Sequence, residues 1–332
     1  MTEGSTDIPI PVVVMGLGMV GQAVARAALL RPELEVVGAI DPAHAGKRLD
    51  ALLGVPAPAF PVAADPAKAF ARARGGVLLH ATGSLLEQVL PQLRSAVSAG
   101  LSVVSTCEEL AYPWYSQPQA ADALADLCEA RDVAVVGAGV NPGFVLDRLP
   151  GLLVGATGPV RHVHGARVQD LSGGSPRRRR TAGVGLSVEE FWALAQQHAV
   201  GHVGLAESAL LVADGCGFDL DDVDLEEELE PVLADHDLAA GASVGAGAVA
   251  GIRQSVRAFV GGKERVRLDL EARVGAEDPR DELSVDGPVQ LEARIEGGIP
   301  EDEGTAWVVV NAAPAVTRLR GLVTVLELPV GR

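Results

Sequence analysis

The 332-residue chain has little of what several protein classes require. Its three cysteines, Cys107, Cys128 and Cys216, are too few and too scattered for a disulfide framework or a zinc site. Reduced thiols in a cytoplasmic setting are therefore expected. Basic charge is in deficit: 27 Lys and Arg against 44 Asp and Glu leave a net charge of −17. That balance argues against nucleic acid or an anionic membrane surface as a partner. No apolar run approaches the ~20 residues needed to cross a bilayer. The first residues carry no basic segment ahead of an apolar core, so no signal peptide is expected. H-E-x-x-H is absent. The densest acidic stretch, 219–230, lacks the ligand spacing and glycine of a Ca²⁺ loop; it reads as a solvated face, and no metal is expected.

What is present begins at Val12. The run Val12-Val13-Val14-Met15 ends in Gly16-Leu17-Gly18-Met19-Val20-Gly21, and helical character follows from Gln22 to Leu30. A strand, a G-x-G-x-x-G turn and a helix together form a cradle for a dinucleotide pyrophosphate, held on backbone N–H groups at a helix start. A second apolar strand, Leu34–Ile40, delivers Asp41 twenty residues after Gly21. A carboxylate at that spacing meets the hydroxyls of the adenosine ribose. Asp41 disfavours a 2′-phosphate, whereas Lys47 or Arg48 offers it a cation, so both NAD and NADP are expected.

Strand and helix patterns alternate through the first ~140 residues. Val77–Gly83, Leu101–Thr106 and Val133–Gly137 read as short buried strands. Ser84 is expected to cap the helix that carries Leu85, Val89, Leu93 and Val97. This is the signature of an α/β, Rossmann-type doubly wound parallel sheet. After Pro150 the pattern changes. Val160–Val168 reads as a strand, Val188–His198 and Val203–Gly215 as helices, and Ala248–Val260, Glu264–Val274 and Val289–Ile295 as strands. A second α+β domain on a mixed or antiparallel sheet is expected. The boundaries expected are 1–145 for dinucleotide binding and 146–302 for substrate binding, with 303–332 packing back on the first domain through a helix at Thr305–Ala313.

Ligands in doubly wound sheets sit beyond the carboxyl ends of the strands. Ala81, Thr82 and Gly83 stand at one such end. Glu108 and Glu109 stand at another, in Ser105-Thr106-Cys107-Glu108-Glu109-Leu110. A partly buried carboxylate there is poised for proton transfer, but the pair can equally cap the following helix. Asn141, in Gly139-Val140-Asn141-Pro142-Gly143-Phe144, offers a donor and an acceptor to a nicotinamide amide or a substrate. None of His80, His162, His164, His198 and His202 has ligand spacing. Arg177–Arg180 reads as a solvated loop, although it could hold a phosphate or carboxylate.

Four segments, Val104–Leu110, Gly139–Asp147, Gly201–Ser208 and Val310–Val316, carry a resemblance that extends through most of the chain. In them the chain resembles the 2,4-diaminopentanoate dehydrogenases and related native amine dehydrogenases, which share the broader fold of dihydrodipicolinate reductase. The resemblance implies NAD(P)H-dependent reductive amination of a ketone or aldehyde by ammonia. The reverse reaction is oxidative deamination of an amine that needs no α-carboxylate. It also implies Glu108 as the catalytic carboxylate, pocket roles for Asn141, Phe144, Arg167, Gln169 and His202, and a homodimer formed through the second domain. The sequence departs from the expected form around the arginines, at 173–176 and 181–183. Two other readings stay open: an imine reductase of the dihydrodipicolinate reductase type, and a non-catalytic NAD-sensing module.

Overall fold

The computed structural model describes residues 8–238 and 244–330. In chain order it forms β1 (Ile10–Met15), α1 (Met19–Leu29), β2 (Leu34–Ile40), α2 (Leu49–Leu53), α3 (Ala67–Arg72), β3 (Val77–His80), α4 (Leu86–Ser98), β4 (Ser102–Ser105), α5 (Pro118–Arg131) and β5 (Ala134–Gly137). The middle of the chain forms α6 (Arg148–Val154), β6 (His162–Asp170), α7 (Pro176–Thr181), α8 (Val188–Ala195), α9 (Leu205–Gly215), β7 (Val223–Leu233), β8 (Val249–Val260), β9 (Lys263–Arg273), β10 (Arg280–Asp286) and β11 (Leu291–Glu296). The last elements are α10 (Glu301–Val316) and β12 (Gly321–Val323). The chain divides into two compact units, Met1–Phe144 with Pro300–Arg332, and Val145–Ile299. Among the described residues no helix is long and apolar enough to cross a membrane.

The first unit is a six-stranded parallel sheet in the order β12-β5-β4-β3-β1-β2. Its inner strands are apolar on both faces because helices cover both. Val12, Val13, Val14, Leu78 and Leu79 have no exposed surface. Each such side chain contributes about 1.5–3 kcal/mol relative to exposure, an upper figure given a partly compact unfolded chain. β2 lies on one side of β1 and β3 on the other, so the winding direction reverses between β1 and β3. Ligands bind at such a switch point, beyond the strand ends. α10 carries Glu301, Asp302 and Glu303 in its first turn, where acids complement the helix dipole. It packs against α1, and Arg31, just past the end of that helix, donates to Asn311.

The second unit is a six-stranded mixed sheet in the order β11-β10-β6-β9-β8-β7, with β6 and β9 parallel and the remaining pairs antiparallel. α9 covers β7, β8 and β9 on one face and α6 covers β10. The other face is a polar ladder of pairs such as Arg253–Glu271, Arg257–Glu226 and Arg267–Asp269. Exposed pairs of this kind add about 0–1 kcal/mol each.

Two local expectations change, and one further strand is found. Residues 219–230 are largely the edge strand β7, with Glu226, Glu227, Glu228 and Glu230 along it. Charges on an edge strand keep it from pairing with a foreign strand. β10 is a strand although its sequence does not alternate cleanly, because Asp281 points inward. Arg177–Arg180 lie in a short helix, α7, capped by Ser175, whose hydroxyl accepts from the Arg178 N–H at 3.2 Å.

Candidate active site

The glycine turn at the end of β1 is shaped by what cannot fit there. Gly16 has φ +85°, and a Cβ on it would lie 2.3 Å from the Ala81 carbonyl oxygen. A Cβ on Gly21 would lie 1.7 Å from the Gly16 carbonyl oxygen. Those two positions lock the turn against α1 and against the end of β3. Gly18, the residue that caps α1, is different: a Cβ there would meet nothing within 4 Å. No side chain caps the helix, so its first N–H groups are left for an external acceptor. This donor set in front of an open space fits a pyrophosphate. Leu17 is fully buried, whereas Met19 is exposed beside the opening. Val20 is half-buried in the first turn of α1.

Asp41 sits at the end of β2 and holds the same turn. Its Oδ2 accepts the Leu17 N–H at 2.7 Å and its Oδ1 accepts the Ala43 N–H at 2.8 Å. A carboxylate has about four acceptor positions, so capacity for ribose hydroxyls remains. Of the nearby cations, Arg48 is paired with Asp50 at 2.7 Å and Lys47 lies 3.3 Å from the His44 ring.

The ends of β3 and β4 are joined by a buried network. His80 is fully buried, with Nδ1 2.8 Å from Ser105 Oγ and Nε2 2.7 Å from Gln92 Oε1. Thr82, the exposed middle residue of the Ala81–Gly83 turn, places its hydroxyl 2.8 Å from Nε2 and donates to Gln92 Oε1 at 2.6 Å. Ser105 Oγ in turn accepts the Cys107 N–H at 3.1 Å.

The two glutamates have separate surroundings. Glu109 Oε2 accepts the Leu86 N–H at 2.6 Å in the first turn of α4, whose capping position is Leu85 rather than the expected Ser84. The helix it serves is the preceding one rather than α5. Glu108 is half-buried at the cap of the short 3₁₀ turn Glu109–Ala111 and makes no side-chain capping bond to it. That turn rests on the end of β5, where a Cβ on Gly137 would lie 2.5 Å from the Leu110 carbonyl carbon. Beside it, the Cys107 thiol donates to the Ser84 carbonyl at 3.1 Å, and burial pushes its pKa well above the thiol range. Burial likewise pushes Cys128 and Cys216 up to about 12. Burial thus disfavours the thiolate at all three, the opposite of the electropositive, partly open setting of a reactive cysteine.

Asn141 is buried beside the strand ends, in a turn held by the Val140 N–H donating to Thr305 Oγ1 at 3.1 Å. Phe144 is half-buried at the end of the first unit's opening segment.

In the second unit, Arg167 and Gln169 occupy alternate positions of β6 and so share a face. Arg167, 1% exposed, pairs with Asp281 at 2.9 Å and donates to the Ile299 carbonyl at 2.7 Å. Gln169 Oε1 accepts from Arg178 at 3.1 Å. His202 is held through its backbone: its N–H donates to Gln254 Oε1 at 2.8 Å, and Gln254 Nε2 donates to its carbonyl at 3.0 Å. Gln92, Asp281 and Gln254 carry no motif and were not expected from sequence. Asp281 stands between Arg280 and Glu282, and Gln254 between Arg253 and Ser255, so spacing alone does not distinguish them from surface positions.

The parallel sheet, its switch-point glycine turn and the carboxylate at a neighbouring strand end define a dinucleotide-dependent oxidoreductase with a separate second unit. The family model for the 2,4-diaminopentanoate dehydrogenase C-terminal domain matches residues 144–332, more than half of the chain. The chain therefore belongs to the 2,4-diaminopentanoate dehydrogenase family, oxidoreductases acting on CH–NH2 donors. It is 28% identical to the 2,4-diaminopentanoate dehydrogenase of Acetoanaerobium sticklandii over 344 aligned positions, covering 97% of this chain and 94% of that one. Its fold is similar to that of an amine dehydrogenase from Mycobacterium smegmatis, with a TM-score of 0.84, 24% identity and 96% of each chain covered. A more distant similarity in fold is to the C. glutamicum DAP dehydrogenase solved in complex with DAP, with a TM-score of 0.52, 14% identity and coverage of 97% and 95%.

Proposed function

We propose that this chain catalyses the reductive amination of a ketone or aldehyde by ammonia, and the reverse deamination, with Glu108 as the acid–base group. The observation that carries this reading is the place of Glu108, a half-buried carboxylate just beyond the carboxyl end of β4 in the same sheet as the glycine turn, where doubly wound folds put their ligands. Glu109 beside it accepts from the first turn of α4. The turn Gly16–Gly21 would hold the pyrophosphate, Asp41 the adenosine ribose, and Ala81, Thr82, Gly83 and Asn141 the nicotinamide half. When bound, NAD(P)H supplies the hydride. Glu108 takes a proton from ammonium so that neutral ammonia attacks the carbonyl carbon. It then returns that proton to the departing hydroxyl of the carbinolamine, which leaves as water.

Phe144, Gln169 and His202 are assigned to the substrate pocket. Arg167 supports that pocket through the strand it braces, since its guanidinium is engaged by Asp281 and Ile299. Asp41 favours NAD, while Lys47 and Arg48 on the exposed loop beyond it allow NADP, so both cofactors are used. The open polar face of the second sheet is assigned to pairing with a second copy, and the reaction to the cytoplasm.

The test is a panel of ketones and aldehydes assayed with NAD(P)H in the presence and absence of ammonium. Oxidation of the cofactor is expected only with ammonium present. Equal oxidation without it would indicate carbonyl or imine reduction instead, and no oxidation with any pair would indicate a binding module.

A further inference from the structure

Among the described residues, His80 is the one histidine within the strands of the first sheet, and its hydrogen bonds have a single consistent polarity. The Gln92 side-chain oxygen is an acceptor only, so His80 Nε2 must carry the proton facing it, shared with the Thr82 hydroxyl oxygen. Thr82 gives its own proton to the same Gln92 oxygen. His80 Nδ1 is then an acceptor and takes the Ser105 hydroxyl proton, which leaves Ser105 Oγ to accept from the Cys107 N–H. Every donor meets an acceptor in a chain running from Thr82, in the Ala81–Gly83 turn, to Cys107, the residue before Glu108. Each step is direct, with no gap a solvent molecule need fill.

We propose that His80, as the neutral Nε2–H tautomer, is a positioning residue that fixes the cofactor-side turn and the Glu108 turn relative to one another. The proposal rests on the reading of Glu108 as the acid–base group. A histidine suits the task because its two ring nitrogens, one donor and one acceptor, face opposite ways in a rigid ring. Protonation would put a second donor against the Ser105 hydroxyl and reverse that arm. Burial opposes it, lowering the imidazole pKa to about 4 against the raising effect of the Gln92 bond.

The two arms separate experimentally. His80→Asn keeps an acceptor near Nδ1 for Ser105 but loses the donor to Gln92. His80→Gln keeps a donor toward Gln92 but loses the acceptor for Ser105. The first should act chiefly on the KM for NAD(P)H, raising it about tenfold, and the second chiefly on kcat, lowering it about tenfold, the scale of one lost buried hydrogen bond. Ser105→Ala strikes the second arm from its other end and should match His80→Gln, and the double variant should be no worse than Ser105→Ala alone. Where a His80 variant fails to fold, Thr82→Val and Ser105→Ala strike the same two arms, with melting temperature recorded separately. Variants of the two arms that change kcat and cofactor KM in equal proportion, or change neither, while Glu108→Gln abolishes turnover, would overturn the positioning role alone. Full turnover in Glu108→Gln would remove the acid–base reading and the positioning role with it.

Discussion

Glu108→Gln should lower kcat by about 10²–10⁴-fold, the usual effect of removing a general acid–base group, while cofactor affinity stays close to that of the parent protein. The substitution preserves shape and hydrogen-bonding capacity but removes a group that can take up and return a proton. Its effect should be confined to chemistry for a structural reason. The turn that carries Glu108 is held by other contacts: Glu109 on the Leu86 N–H, Cys107 on Ser105 and Ser84, and Leu110 against Gly137. Glu109→Gln is the matching control, since an amide oxygen still accepts from Leu86; a loss of at most about 1 kcal/mol of stability is expected there, within the range for helix caps. Steady-state rates at saturating ketone and ammonium, with cofactor affinity measured by fluorescence titration, check both. A Glu108→Gln enzyme with a kcat within about threefold of the parent, well short of the loss a general acid–base group carries, would place the proton elsewhere.

Gly18→Val should leave the melting temperature nearly unchanged and weaken NAD(P)H binding by about 10²-fold, the equivalent of one or two lost charge-assisted hydrogen bonds to phosphate. Gly18 has φ −67° and ψ −168°, a conformation open to any residue, and its Cβ position faces no protein atom. The added side chain therefore costs the fold little but occupies the approach to the N-terminus of α1. Gly21 provides the contrast, because a Cβ there collides with the Gly16 carbonyl and so damages the fold itself. Melting curves and cofactor titrations of Gly18→Val distinguish the two cases. Unweakened cofactor binding would mean that the pyrophosphate does not lie over this turn.

The parallel sheet was legible because buried strands covered on both faces write themselves as unbroken apolar runs such as Val12–Met15, punctuated by glycine. The second sheet was legible only in part. β8 and β9 alternate well enough to be read, but β7 is an edge strand whose acidic side chains hide its period. β10 carries Asp281 where an apolar residue is expected, and partners distant in sequence, Arg167 and the Ile299 N–H, make that burial tolerable. At the candidate site, the glycine turn and Asp41 could be read because local backbone geometry demands those residue types. The two glutamates could not be told apart. What separates them is a bond to Leu86, 23 residues earlier, that depends on how β3 and β4 pair. The same holds for His80, whose partners Gln92 and Ser105 come together only in the folded sheet.

The most direct measurement is a reaction of ketone with ¹⁵N-ammonium and NAD(P)H deuterated at the transferable C4 position, followed by mass spectrometry of the product. An amine carrying both one ¹⁵N and one deuterium on the adjacent carbon is expected, formed by the parent enzyme and nearly absent with Glu108→Gln. A deuterated alcohol without nitrogen, or equal amounts of labelled amine from the two enzymes, would contradict the assignment of this chain's chemistry to Glu108.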